Sequence, residues 1–331
     1  MMRNAVYVVT GGAGFIGSNI VAGLEARGDG EIVVVDQLGS GEKWRNIAKR
    51  ELADLIPPQA LFPFLERQAS RVRAVIHMGA ISSTTETDVD ALVRDNVRLS
   101  LDLWHWCAAQ GVRLIYASSA ATYGDGQDGF RDDDSPEALA RLKPLNAYGW
   151  SKHLFDRRVA RLVATGGAAP LHWAGLKFFN VYGPNEYHKG GQKSVVAHIF
   201  PEAKAGRTVK LFQSHRPDYP DGGQMRDFVW VDDCVAMVLA LLDKPAVSGI
   251  YNCGTGKARS FADLARAVFT ALGQEPRIDY VPTPEALRDR YQYFTQAENR
   301  RNAQFFDVWT SLEDGVARYV RDYLNADDPY R

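Results

Sequence analysis

The chain has 331 residues, 46% of them hydrophobic and 24% charged, with a formal net charge of −1. That length buries a large core or two unequal lobes, and the near-neutral balance argues against a nucleic-acid-binding surface. Cys107, Cys234 and Cys253 lack metal-ligand spacing, no apolar run reaches membrane-spanning length, and no secretory leader precedes the first strand, so a cytoplasmic protein with reduced thiols, no metal and no membrane partner is expected.

Asn4–Thr10 (NAVYVVT) is a short β-branched run ending in a glycine cluster and reads as a buried strand. Gly11, Gly14 and Gly17 follow, then Ser18–Ala26 with apolar residues at helical spacing. A strand, a glycine loop and a helix in that order aim free N–H groups at a phosphate, and a Cβ in the loop would block the approach. The second strand, Glu31–Val35, runs into Asp36, at the distance where an acid meets the adenosine ribose of a dinucleotide. Asp36 favours the free hydroxyls of NAD. Lys43, in the stretch Gly39–Trp44, is either a solvated lysine or the partner of a 2′-phosphate.

Ala74–His77 is the next strand, followed by the small and polar turn MGAISSTTE. Asp88–Gln110 has helical periodicity with Asn96 inside it, and Leu114–Ala117 is a strand running into Ser118 and Ser119. Alternating strands and helices predict an α/β fold with a doubly wound parallel sheet, whose ligands bind beyond the carboxyl ends of the strands. Gly11–Gly17, Asp36, Gly79–Ser83 and Ser118–Ser119 all fall at such ends. Tyr148 and Lys152, in YGWSK, are four residues apart on one helix face. A free tyrosine, with a pKa of about 10, is a poor base at neutral pH. A nearby ammonium and an oxidised nicotinamide both stabilise its phenolate, and Ser119 is placed to hold the substrate oxygen.

The glycine loop, Ser119 and the Tyr148/Lys152 pair resemble the extended short-chain dehydrogenase/reductases, the group that holds nucleotide-sugar epimerases and dehydratases. The segments TGGAGFIGSNIV, SSTTE, YASSAATYG, KPLNAYGWSKHLFD, FFNVYGPNEYHKG, RDFVWVDD and RYQYFTQA extend the likeness along nearly the whole chain. HKG and RYQYFTQA are the specific ones, and they are similar to the branch of 6-epimerases that act on ADP-heptose. The resemblance implies a Rossmann domain over residues 1–178 with returning segments near 226–255, and a smaller mixed α/β substrate domain over 179–331; Phe178–Tyr182 and Gly249–Cys253 read as strands returning to the sheet. It implies oxidation and re-reduction at C6″ of the sugar by tightly bound NADP, with NAD as the alternative, in a homo-oligomer, by family habit a pentamer. Lys189 joins Tyr148 as the second acid/base group. Cofactor contacts carried over by position are Gly11, Gly14, Phe15, Ile16, Gly17, Asp36, Gln37, Lys43, Met78, Gly79, Ala80, Ile81, Ser82, Asn96, Lys152, Val181 and Lys189. Substrate contacts carried over are Ser119, Asn180, Gly191, His198, Phe212, Gln213, Ser214, His215, Arg226 and Tyr291.

Arg226 makes chemical sense, since a guanidinium fork suits a diphosphate; its plainer alternative is an ion pair with Asp227 or Asp232. Met78 stands where the family carries Glu, Pro58 where it carries Lys, Gln37 where it carries Asn and Gly191 where it carries Ser. The stretch Arg216–Gln224 is longer than the family pattern and reads as a turn-rich loop near the substrate mouth. Two rivals remain: a UDP-hexose 4-epimerase or dehydratase of the same group, and a non-catalytic nucleotide sensor. Ala120–Ala121 after Ser119 disfavours a dehydratase, which wants an acidic pair there; an intact Tyr148/Lys152 pair disfavours the sensor.

Overall fold

The computed structural model describes residues 5–244, 247–285 and 292–331. Its larger layer is a seven-stranded parallel sheet built from β1 (Val6–Thr10), β2 (Glu31–Val35), β3 (Asp54–Ile56), β4 (Val72–His77), β5 (Arg113–Ser119), β6 (Trp173–Phe178) and β10 (Gly249–Cys253), in the order β10-β6-β5-β4-β1-β2-β3. Every residue of β1, β6 and β10 is buried. Strands covered by helices on both faces read as unbroken apolar runs for this reason. One face packs α1 (Phe15–Arg27) and α8 (Val231–Asp243) around Ile20, Leu24, Val235 and Val238. The other packs α2 (Leu61–Gln68), α4 (Leu99–Gln110) and α6 (Ala147–Ala164) around Leu65, Trp104, Phe155 and Val159.

The sequence direction reverses at β1. The chain steps outward through β2 and β3, then returns to lay β4 on the other side of β1. The loops after β1 and β4 therefore diverge, which opens a crevice at the carboxyl end of the sheet.

The helix expected over Asp88–Gln110 is interrupted. After α3 (Val89–Leu92), residues Val93–Arg98 form a π-helical turn before α4. The extra residue turns Asn96 inward, where its Nδ2 donates to Ile81 O at 3.0 Å and Ser151 Oγ at 3.0 Å, and its Oδ1 accepts from Ile81 N at 2.9 Å. Inserted turns of this kind recur where a side chain has to be re-aimed.

The strand expected over Phe178–Tyr182 is two strands in two sheets. β6 ends at Phe178; Phe179 N donates to Cys253 O, and β7 (Asn180–Tyr182) leaves to pair with β9 (Met225–Trp230), which also pairs with β11 (Ala258–Ser260). β8 (Val209–Phe212) and β12 (Ile278–Val281) form a further parallel pair. α5 (Pro136–Arg141) sits against α6. α7 (Val195–Lys204), α9 (Phe261–Ala271) and the helix Leu312–Tyr319 cover the small sheets around Phe200, Leu211, Trp230, Val268 and Tyr319. Of the segment near 226–255, β9 belongs to these small sheets, and α8 and β10 rejoin the large one.

The last described residues fold back across the boundary. The Tyr330 ring lies edge-on to Tyr187 and under the Arg45 guanidinium, Lys49 Nζ donates to Tyr330 O at 2.6 Å, and Arg331 pairs with Asp232. Among the described residues, no helix is long and apolar enough to cross a membrane.

His77 closes β4. It lies 2.6 Å from Thr10 Oγ1 and 3.0 Å from Ser100 Oγ and is 2% exposed. Burial, with the nearby Lys152 charge, pushes it down to about 3 from 6.5. The unfolded chain therefore takes up a proton that the fold refuses as pH falls from 6.5 towards 3. The stability contribution of neutral His77 is whole above that window and declines within it. His77→Gln, which keeps a donor and an acceptor, should flatten the fall in thermal midpoint between pH 6.5 and 4.5; an unchanged slope would remove His77 as a cause of acid lability.

Candidate active site

The crevice holds a cavity of about 880 Å³ whose wall is drawn from both halves of the chain. Phe15 and Ile16 enter it from the β1 loop, Met78, Ala80 and Ser82 from the β4 loop, Ser119 from β5, and Tyr148 and Lys152 from α6. Asn180, Val181, Lys189, Gly191 and Arg226 complete the set of expected residues that line it. Thr84, Thr85, Lys193, Phe228 and Phe261 also line it, and sequence reasoning had missed them.

At the sheet end, α1 begins at Gly14 with no side-chain cap and no acid in its first turn. Its leading N–H groups are left for a ligand, and the helix dipole favours an anion there. The glycines are sterically required. Gly11 has φ 66°, and a Cβ on it would stand 2.6 Å from Gly79 Cα; a Cβ on Gly17 would stand 2.1 Å from Gly11 O. This cradle fits a dinucleotide pyrophosphate. Gly11, Gly14, Gly17, Gly79, Ile81 and Asn96 shape the two loops without being part of the cavity wall.

Asp36 accepts from Ala13 N at 2.9 Å and Gln37 N at 2.7 Å. Lys43 is paired: its Nζ lies 2.5 Å from Asp36 Oδ1 and donates to Gln37 O at 3.0 Å. Asn46, for which no motif gave a signal, is buried and donates to Ala13 O at 2.8 Å, with His188 Nδ1 3.1 Å away.

At the β5 end, Asn146 caps α6 by accepting from Gly149 N at 2.8 Å. A Cβ on Gly149 would stand 2.8 Å from Ala121 O, so the first turn of α6 rests directly on the turn after Ser119. That contact brings Tyr148 to Ser119. Burial raises the Tyr148 phenol, and its hydrogen bond with Ser119 opposes the rise. Lys152 donates to Ala117 O at 2.8 Å, and burial pushes its amine down to about 8. The ammonium expected on the phenol is thus held by a strand carbonyl one turn below it.

Beneath the pair lies a network that sequence reasoning had passed over. Asp156, fully buried, accepts from Ser118 Oγ at 2.6 Å, Tyr116 OH at 3.1 Å and Lys177 Nζ at 2.9 Å, and Lys177 also donates to Thr122 Oγ1 at 2.6 Å. The signal was present, since Tyr148, Lys152 and Asp156 repeat at four-residue spacing on one helix face.

Lys189 comes from the short helical segment Tyr187–Gln192 and lies 5.5 Å above the Phe15 ring. Burial lowers its amine, and Glu186 opposes that. Arg226 stacks over Phe261 at 5.6 Å. The carboxylate of Asp227 is taken by Thr255, Gly256 and Ala297, and that of Asp232 by Arg331.

Five expected substrate residues stand away from the cavity wall. His198 lies 3.3 Å from Gly191 O. Phe212 ends β8, and Gln213 O accepts from Gln224 Nε2 and Thr283 Oγ1. Ser214 and His215 gather on Tyr293, whose OH accepts from His215 N at 2.8 Å. The loop 213–224 folds over Tyr293, with Arg216 stacked on that ring at 5.1 Å, so its polar groups bond to one another. Tyr291 lies outside the described residues.

Residues 7–254 match the NAD dependent epimerase/dehydratase family. The chain is 49% identical to the ADP-L-glycero-D-manno-heptose-6-epimerase of Nitratidesulfovibrio vulgaris strain DP4, over 98% of this chain and 100% of the relative. It is 46% identical to the protein of that name from Fusobacterium nucleatum, over 98% and 99%. Among solved structures, the Helicobacter pylori ADP-L-glycero-D-manno-heptose-6-epimerase superposes with a TM-score of 0.77 at 27% identity, over 97% and 96%. The Thermus thermophilus UDP-glucose 4-epimerase complex with NAD gives 0.73 at 26%, over 97% and 99%.

Gly17→Ala forces a methyl onto Gly11 O. It should weaken dinucleotide binding about ten-fold or more in a calorimetric titration, a loss of roughly 1.4 kcal/mol. An affinity equal to that of the unmodified chain would show that the loop does not hold the pyrophosphate.

Proposed function

The chain belongs to the NAD-dependent epimerase/dehydratase family, and from that premise we propose that it inverts C6″ of ADP-D-glycero-β-D-manno-heptose, giving the L-glycero epimer used for the lipopolysaccharide inner core, with NADP retained through turnover. The observation that carries this reading is one cavity lined by two proton-handling groups from separate elements, Tyr148 of α6 and Lys189 of the loop after β7. The names of the relatives at 49% and 46% identity support the sugar.

When bound, the nicotinamide supplies a hydride acceptor and then a hydride donor. The chain supplies the rest. Ser119 holds the reacting oxygen and Tyr148 exchanges its proton on one face of C6″. Lys152, held against Ala117 O, keeps positive charge beneath the phenol. Lys189, whose amine burial has already lowered, exchanges a proton on the other face. A transient ketone at C6″ joins the two halves of the reaction, and the heptosyl end turns between them while Arg226 anchors the diphosphate. No net oxidation results.

The Asp36–Lys43 pair supports NADP over NAD. The ammonium 2.5 Å from Asp36 offsets the carboxylate that would otherwise repel a 2′-phosphate. A cytoplasmic location and homo-oligomeric assembly, by family habit a pentamer, belong to the same reading.

Purified protein incubated with ADP-D-glycero-β-D-manno-heptose and no added cofactor should yield the L-glycero epimer by NMR, and the dinucleotide released on denaturation should be NADP. No conversion with either dinucleotide supplied would move the substrate to another nucleotide-sugar. Tyr148→Phe should abolish turnover, an expected fall of about 10³-fold, with dinucleotide binding kept. Lys189→Met should lower kcat more than it raises KM; a rise in KM alone would make Lys189 a binding residue.

A further inference from the structure

Lys189 sits at the middle of a loop that has little stiffness of its own. At Gly190, with φ 54°, and Gly191 a Cβ would meet nothing, and the crest after Lys189 has one side-chain contact, His198 at 3.3 Å from Gly191 O; Tyr187 and His188 are fastened ahead of it, to Pro329 O and Asn46. The position of the amine therefore depends on how the two ends of the loop are held.

Both ends meet at one carboxylate. Glu186, 1% exposed, stands at the loop's entry. Its Oε2 accepts from Ser194 N at 2.5 Å, and its Oε1 accepts from Ser194 Oγ at 2.6 Å, Tyr319 OH at 3.0 Å and Gly183 N at 3.4 Å. Ser194 is the loop's exit and the N-cap of α7, where its Oγ accepts from Ala197 N at 3.3 Å. Lys189 N donates to Glu186 O at 3.1 Å, so the crest is tied to the same residue through the backbone. Next to it, Asn185, with φ 72°, donates to Ser18 Oγ and Asn46 O, which fastens the entry to the cofactor side of the cavity.

We infer that Glu186 is a positioning residue for Lys189: by binding the entry and exit of the 187–193 loop, with Tyr319 behind it, it holds the amine over Phe15 at the sugar end of the cavity. This rests on the reading of Lys189 as the second acid/base group. A carboxylate that is buried and receives four donors is costly to leave half-satisfied, which suits a fixed loop and not one that opens and closes. Its charge also faces Lys189 from inside the loop, opposing the loss of the proton that burial favours.

The test is Glu186→Gln. The amide oxygen keeps Oε1's three partners, while the amide nitrogen meets Ser194 N donor to donor, so one of the two bonds to the loop's exit is replaced by a repulsion with little change in volume. The expected result is a fall in kcat of about a hundred-fold, the size of effect a displacement of about 1 Å produces, with KM and dinucleotide affinity within about two-fold. A lower thermal midpoint with unchanged kcat would mean that Glu186 only supports the fold, and a raised KM with unchanged kcat would mean that it holds substrate; either overturns the inference. Tyr319→Phe removes one donor at the back of the carboxylate and preserves packing. It should lower kcat by a smaller factor at constant KM, and decides the matter if Glu186→Gln does not fold; unchanged kcat in Tyr319→Phe then overturns the inference. Lys189→Met is run alongside. If it retains kcat, the acid/base reading falls and this inference with it; if it loses kcat and Glu186→Gln does not, the positioning inference alone falls.

Discussion

Two glycines meet where the strand order reverses, and the site depends on that contact. Gly11 leaves β1 with φ 66°, and its missing Cβ lets the backbone of Gly79, leaving β4, pass where a methyl would stand 2.6 Å away. Thr10 ties the two strand ends from the other side: its carbonyl accepts from Met78 N, and its hydroxyl accepts from Gly79 N. From that point the loops part, α1 turns its uncapped end to the crevice, and Phe15 is delivered under the Lys189 amine. A side chain at either glycine would push the loops apart at their root, and with them Phe15, Ile16, Met78, Ala80 and Ser82, which line the cavity from these two loops.

Charges are handled differently at the two ends. Near the dinucleotide loop, Lys43 stays partly exposed while the Asp36 carboxylate, 7% exposed, is shared between that ammonium and the backbone N–H groups of Ala13 and Gln37. Around α6, Lys152, Asp156 and Lys177 are buried, and every polar group of the network beneath the Tyr148 turn is held by a strand end, a hydroxyl or another charge. Such a network is costly to break and need not add stability. Its effect is to seat one helix in one register against β5 and β6. In that register the Tyr148 phenol meets Ser119, the contact that the proposed chemistry uses.

The elements are legible in the sequence, and most of their partnerships are not. β1, β2, β4, β5 and β10 were legible because strands buried on both faces are unbroken apolar runs bounded by turn residues. Phe178–Tyr182 hides its boundary for the same reason: an apolar run carries no mark of the residue at which it changes sheets, and here Phe179 N makes the last bond to the large sheet, at Cys253 O, before Asn180 pairs with Phe228 of β9. Asn96 was named but its work was not visible, because a π turn is set by what the side chain finds across space, here Ile81 and Ser151. In the sequence Lys43 has either solvent or a phosphate to face, and the fold hands it to Asp36. The stretch Phe212–His215 was carried over by position, and the loop that follows closes it onto Tyr293, a contact no spacing rule reaches.

By itself, then, the sequence determined the class of chemistry. Glycine spacing, a Tyr–Lys pair one helical turn apart and a serine at a strand end are local patterns, governed by backbone sterics and a 3.6-residue period, and they are readable in one dimension. The resemblance carried by HKG and RYQYFTQA added the substrate and the second acid/base residue that are proposed here. Only the tertiary structure decided how Lys189 is held, which of the named residues share one cavity, and which carboxylates are spoken for. Glu186 looks like an ordinary acid in a loop until Ser194 and Tyr319 close around it. The reason is physical: a hydrogen bond between residues 8 or 133 positions apart depends on where the chain returns, and burial, which sets the protonation of Lys152 and Lys189, is a property of the folded volume and not of any residue in it.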